Sequence, residues 1–146
     1  MMALVDRALA LNPNYARGWH VSGLVRLRAG QANIAIEHGE ASLRLSPRAR
    51  VGSTFFMMGY AHFACRRFGQ AAAGLLLAIQ ENPSFAEPYR VLAACYALMG
   101  RLEDARKVVA RLREVTPAVM PDASGGGTPY RELLLSGLHL AIGDTE

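Results

Sequence analysis

Four prolines close runs of helical character at Pro13, Pro47, Pro83 and Pro117, separated by 34, 36 and 34 residues. Three of them end nearly the same phrase: LALNP, LRLSP and AIQENP. A fixed period of this size is the signature of stacked supersecondary units, each leaving an apolar face that only its neighbour can cover. Spacing near 34 residues fits a helix-turn-helix unit, with proline as the breaker that stops its second helix.

Counting back from each proline divides the chain into a half unit at 1–13 and units at 16–47, 50–83 and 86–117. The half unit holds only a second helix, Met2 to Leu11, with Ala3, Leu4, Ala8 and Leu9 as its apolar face. Half a unit exposes the face its missing helix would cover, so the chain reads as a piece of a longer protein.

In the unit at 16–47, Gly23 and Ala35 allow two helix backbones to approach closely, and Gly30 can take the left-handed conformation that ends a helix. Trp19 supplies a large anchor. Ser22, Arg26 and Gly39 depart from the apolar pattern and predict looser packing there, while Ser42 replaces an alanine at little change in volume. In the unit at 50–83, Phe55, Met58, Gly59, Ala71, Leu75 and Ala78 take the packing positions, and the two extra residues fall in the turn from Ser46 to Gly52. A loop insertion of that size costs little. His62 reads as a histidine packed at a helix interface, with no partner at metal-ligand spacing.

The unit at 86–117 is the clearest copy. Tyr89, Leu92, Ala93, Tyr96, Gly100, Ala105, Val109, Leu112 and Pro117 fall on a W-x2-L-G-x2-Y, A-x3-F, P frame. Its helices are expected from Ala86 to Met99 and from Leu102 to Val115. Pro88 sits where a missing N–H is tolerated, and Glu103 and Asp104 sit at the positive end of the second helix. Beyond Pro117 the period fails. Residues 118–128 read as a Gly/Pro linker, and residues 129–143 as a last helix with Thr128 as N-cap and Pro129 in its first turn, capping the open end of the stack.

Charge and chemistry exclude more than they assign. The net charge is +4, and fifteen of the sixteen basic residues are Arg, but the longest basic pairs, Arg66-Arg67 and Arg106-Lys107, lie on different segments. That dispersion argues against nucleic acid as a partner. Cys65 and Cys95 form no CxxC and read as reduced core thiols of a cytoplasmic protein. The longest apolar stretch, Ala71 to Ile79, falls short of the ~20 residues that cross a bilayer, and Met1 to Leu11 carries Asp6 and Arg7 rather than a leader pattern. SGGGT at 124–128 lacks the Lys-Ser/Thr of a phosphate-binding loop. His20, His38, His62 and His139 fall on different helices, and the pairs Glu37/Glu40 and Glu103/Asp104 are explained by solvated helix faces. No catalytic, cofactor-binding or metal-binding residues are expected, and no cofactor.

The repeats at 1–117 resemble the tetratricopeptide (TPR) family. That resemblance implies an all-α, right-handed helical-repeat solenoid with a C-terminal capping helix, acting as a non-catalytic protein-interaction or regulatory module. In the family the first helix of each unit lines a partner-binding groove. Carried over by count, the groove positions are Arg17, His20, Leu24, Leu27 and Arg28, then Ser53, Phe56, Tyr60, Phe63 and Ala64, then Glu87, Arg90, Ala94, Ala97 and Leu98. The expected partner-binding set is Arg17, His20, Leu24, Arg28, Phe56, Tyr60, Phe63 and Arg90, for a protein or peptide, with self-association as the alternative. Phe56, Tyr60 and Phe63 lie four and three residues apart on one stripe. They need either a partner or the chain's own linker or terminal helix folded back over them. His20 and Leu24 stand where the family's chaperone-tail clamp requires Lys and Asn, so that subclass is not expected. The text from Phe85 to Pro117, a linker, and Tyr130 to Gly143 also resembles the C-terminal region of bacterial adenylate cyclase-like proteins. Those join a class III cyclase domain to such repeats; this chain holds no strand-borne aspartate pair for that chemistry.

Overall fold

Each repeat turns through a residue in the left-handed region of backbone space. Gly30 (φ 85°) and Gly100 (φ 82°) do so in two units, and Arg66 (φ 59°) does so at the equivalent place in the unit between them. The first two follow from glycine's lack of a Cβ. Arg66 is a finding, since an L-residue with a side chain is disfavoured there by about 1–2 kcal/mol.

The computed structural model describes residues 2–46, 51–121 and 130–143. These form α1 (Met2–Leu11), α2 (Ala16–Arg28), α3 (Ala32–Leu45), α4 (Val51–Ala64), α5 (Phe68–Glu81), α6 (Ala86–Leu98), α7 (Leu102–Val115) and α8 (Arg131–Ile142), with no strand among the described residues. Pro47 and most of the turn expected to hold the two-residue insertion, residues 47–50, lie outside them. So do SGGGT, Thr128 and Pro129; the described part of the last helix starts at Arg131 after Tyr130.

Helices α2 and α3, α4 and α5, and α6 and α7 pack extensively as pairs, and the second helix of each of the first two pairs packs on the first helix of the next. The first helices α2, α4 and α6 also touch in sequence, whereas α3, α5 and α7 do not pack on one another. Crowding on one side and spreading on the other curves the stack, and it places α2, α4 and α6 on the inside.

Close approach explains the small residues in the frame. A Cβ on Gly23 would lie 3.3 Å from the Ala35 carbonyl oxygen and 2.6 Å from Met57 Cε, and one on Gly59 would lie 2.9 Å from Leu75 Cγ. Met57 and Leu75 are fully buried at those contacts. The loosening expected at Ser22, Arg26 and Gly39 is replaced by specific contacts. Buried Ser22 hydrogen-bonds through Oγ to His38 Nδ1 at 2.8 Å, Arg26 Nη2 contacts both carboxylate oxygens of Asp6 at 2.8 Å, and Met58 lies against Gly39. A polar network thus ties α1, α2 and α3 where other units use apolar contact.

The last helix covers the stack from its inner side. A further repeat would pack mainly on α7 and only touch α6, but α8 packs mainly on α6 and less on α7. Leu134, Gly137, Leu138 and Ala141 form its buried stripe. Covered by α5, α7 and α8 together, α6 is buried over nearly its whole circumference.

Candidate partner-binding groove

The inner surface of α2, α4 and α6 carries two clefts separated by Leu24, which lines both. The smaller, about 450 Å³, lies between α2, α3 and α4 and is lined by Arg17, His20, Ser42, Ser53 and Thr54 among others. His20 Nδ1 is hydrogen-bonded to Thr54 Oγ1 at 3.0 Å, which fixes the ring between α2 and α4. Burial, and then the Arg17 guanidinium, hold the His20 pKa below the ordinary histidine value.

The larger cleft, about 520 Å³, has an apolar floor of Leu24, Leu27, Phe56 and Tyr60. Arg28, Glu87, Arg131 and the buried Arg90 add charge to its lining, which Thr116, Ala118, Met120, Pro121 and Leu134 complete. The Phe56 ring meets Tyr60 and Phe85 edge-on, with centroids 5.9 and 5.3 Å away. Arg28 is exposed, whereas Leu24 and Phe56 are half-buried and so present part of their surface to the cleft.

Seven of the eight groove residues expected from the sequence therefore line these clefts: Arg17, His20 and Leu24 in one, and Leu24, Arg28, Phe56, Tyr60 and Arg90 in the other. Phe63 does not, and its place on an open groove stripe is corrected. It is 0% exposed, with its ring 5.8 Å from Phe68 and 6.0 Å from Tyr60. The stripe from Phe56 runs down α4 and passes beneath the start of α5, so its last member joins the core. Tyr60 is also largely withdrawn, at 8% exposed, with the Tyr130 ring 6.4 Å away.

Arg90 lines the cleft, but the chain itself uses its donors. It pairs with Glu87, and its Nε and Nη2 donate to the carbonyls of Val119 at 2.9 Å and Ala118 at 2.7 Å. The backbone after Pro117 thus runs across the inner face of α6, with Val119 and Met120 packed on the core. Of the two covers the aromatic stripe could have, the chain's own C-terminal segment supplies one. Ala118, Met120, Pro121, Arg131 and Leu134 were missed by repeat counting because they lie outside the period, and Thr116 because it lies on no first helix. The pair Val119-Met120, the large apolar side chains of the Gly/Pro stretch at 118–128, was the signal that this segment packs.

Among the described residues no group of His, Cys, Asp and Glu is arranged to hold a metal ion, and no helix is long and apolar enough to cross a membrane. Cys95 is buried with its thiol donating to the Phe68 carbonyl at 3.1 Å. Burial pushes its pKa up to about 12, so it stays a protonated packing residue.

The tetratricopeptide repeat family model matches residues 63–124. The fold is a tetratricopeptide-repeat solenoid. The solenoid is similar to the crystal structure of MamA, with a TM-score of 0.75 and 20% identity over 97% of this chain and 85% of that one. It is similar to TTC0263, a thermophilic TPR protein of Thermus thermophilus, at 0.70 and 22% over 97% and 73%. It is also similar to YrrB, described as a TPR protein with an unusual peptide-binding site, at 0.68 and 24% over 99% and 76%. Identities this low carry the fold and not the partner. No curated protein matches the chain.

Proposed function

We propose that this solenoid is a non-catalytic interaction module that holds a peptide segment of a partner protein in the cleft over Leu24, Phe56 and Tyr60. The observation that carries this reading is the cleft itself: about 520 Å³, on the inner face of the repeats, lined by the apolar side chains of Leu24, Leu27, Phe56 and Tyr60 together with a few charged groups. The peptide-binding site ascribed to YrrB, a protein of the same fold, supports it. Selection of peptides from a displayed random library on the immobilised chain tests it. Recovered peptides should lose at least ten-fold in affinity on Arg28→Glu or Leu24→Asn, with little change in melting temperature. Peptides indifferent to both substitutions would place binding elsewhere.

Two further readings rest on separate observations. Leu4 and Leu11 on α1 are 71% and 83% exposed, which favours a structural module that self-associates. Sedimentation at micromolar concentration checks this, and a strict monomer ends it. The resemblance of residues 85–143 to the C-terminal region of bacterial adenylate cyclase-like proteins supports a cytoplasmic, regulatory role beside a class III cyclase domain. A reading frame upstream of Met1 that encodes no cyclase or other effector domain would remove that role.

A further inference from the structure

The inner face of α6 is where a solenoid of this kind offers its last groove positions, and here it is already filled by a helix. Gly137, at the middle of α8, sits directly on Ala94: a Cβ built on it would lie 2.6 Å from Ala94 Cβ, 2.8 Å from its Cα and 2.9 Å from its carbonyl oxygen. Two backbones approach so closely only where both residues are small. Leu134 and Leu138, on either side of Gly137 in the buried stripe, are 5% and 0% exposed, and Ala141 is 1% exposed. The stripe therefore reads Leu-x-x-Gly-Leu-x-x-Ala, with spacing i, i+3, i+4, i+7, the face of an amphipathic helix that anchors in a groove. Facing it, α6 offers Ala94, fully buried, and the next small residue along the helix, Ala97, is almost fully buried, so this strip of α6 is built of small residues. Arg90, at the start of the same strip, holds the incoming backbone by the carbonyls of residues 118 and 119.

We infer that the α6 inner face is a docking surface for an amphipathic helix with a small residue flanked by leucines, and that α8 is its in-chain occupant, which a partner helix of the same pattern displaces. The surface and its occupant belong to different parts of the chain. The repeats hold one another through α2 to α7, whereas α8 lies outside the repeat period and packs on α6 and α7. An isolated helix of twelve residues is marginal in water, so α8 keeps its shape by docking. The partner's specificity lies in the close approach at Ala94, since a larger residue at the centre of either helix forces the two apart. This inference goes beyond the cleft at Leu24 and Phe56, and its test substitutes none of the residues that line that cleft.

The probe is a labelled synthetic peptide of residues 129–143, titrated onto the full chain. On the wild-type chain α8 competes at the millimolar effective concentration of an attached ligand, so binding should be weak. Gly137→Leu in the chain keeps helix propensity high but unseats α8. It should raise peptide affinity at least ten-fold, and Ala94→Leu added to it should abolish the gain. A peptide carrying Gly137→Leu should bind neither chain. Equal affinity for wild-type and Gly137→Leu chains, or no binding to a Gly137→Leu chain that keeps the helicity of its repeats, overturns the proposal. Hydrogen exchange on the wild-type chain gives a second reading if that variant does not fold. Amides of α8 should exchange by local opening at least ten-fold faster than those of α6 and α7; exchange of all three at one rate overturns the proposal, because α8 would then be inseparable from the repeats.

Discussion

Tyr89 donates its hydroxyl to the Pro83 carbonyl at 2.7 Å, and Trp19 Nε1 reaches the Pro13 carbonyl at 2.8 Å across the same six-residue span. The large residue early in the first helix thus ties that helix to the proline that closed the preceding unit, which fixes the angle between neighbouring repeats. At the equivalent place in the middle unit stands Phe55, which has no donor, and the turn before it is two residues longer. Tyr89→Phe keeps the ring under Arg111, whose guanidinium carbon lies 5.3 Å from the ring centroid, and removes only the donor. The expected loss is about 1 kcal/mol, a fall of about 2–4 °C in melting temperature for a chain of this size. Trp19→Phe should cost more, because it also alters the edge-on contact with His38 at 4.9 Å. Equal losses would mean that the hydrogen bond alone matters at both sites.

The turn at Arg66 gives a stabilising change. Its φ of 59° is the conformation that glycine supplies at residues 30 and 100, and Arg66 is exposed. Arg66→Gly removes a strain of about 1–2 kcal/mol and loosens the unfolded chain by about 0.4–1 kcal/mol, so a net gain of about 0.5–1 kcal/mol is expected. Urea unfolding reads it as a higher midpoint at unchanged slope. A lower midpoint would show that the Arg66 side chain contributes more than its backbone costs.

Positions tied to the repeat period were legible, because one local rule places them each time. Gly23 against Ala35, the turns at Gly30 and Gly100, and the helix from Leu102 to Val115 all follow from the frame. What the frame could not express was how deeply a neighbouring helix covers a stripe, or anything set by the segment outside the period. Phe63 is on the same stripe of α4 as Phe56, yet it packs against Phe68 at the start of α5, the partner helix of its own unit, and so ends in the core. Arg90 was counted as groove, but the backbone carbonyls it binds come from residues that no repeat predicts. Ala94 is a groove position by count, and Gly137 packed against it gives the small residue there its reason.

Three histidines make the N-terminal repeats sensitive to acid. His20, His38 and His62 each have a pKa lowered from 6.5, first by burial and then by Arg17, Arg26 and Arg67 respectively; Asp6 and Glu37 act the other way on His38, and Glu40 on His62. His62 Nδ1 is buried without a hydrogen-bond partner. Folded pKa values below the unfolded value mean that the unfolded chain takes up protons first. Stability is therefore full above pH 6.5 and is lost as pH falls from there through the folded values. The urea midpoint should be lower at pH 5.5 than at pH 7.5, and His62→Gln should reduce the difference. A midpoint that is flat between those pH values would show that the three rings are protonated without penalty.

Phe56 and Phe63 separate surface from core on one helix. Phe63 is fully buried, and Phe63→Ala removes a ring from the contact of α4 with Tyr60 and Phe68, so a loss of about 3–5 kcal/mol is expected. Phe56 is half-buried at the cleft, where its ring touches Tyr60 and Phe85 on one side and faces the opening on the other. Phe56→Ala should cost about 1–2 kcal/mol and leave a folded chain. The two variants differ in kind as well as in size. Phe56→Ala should weaken cleft-selected peptides while helicity at 25 °C stays near wild type, whereas Phe63→Ala should lose helicity and peptide together. Thermal unfolding followed by circular dichroism, with peptide titration on whatever remains folded, distinguishes them. Equal destabilisation by both would put Phe56 in the core as well and leave Leu24 and Arg28 to carry recognition alone.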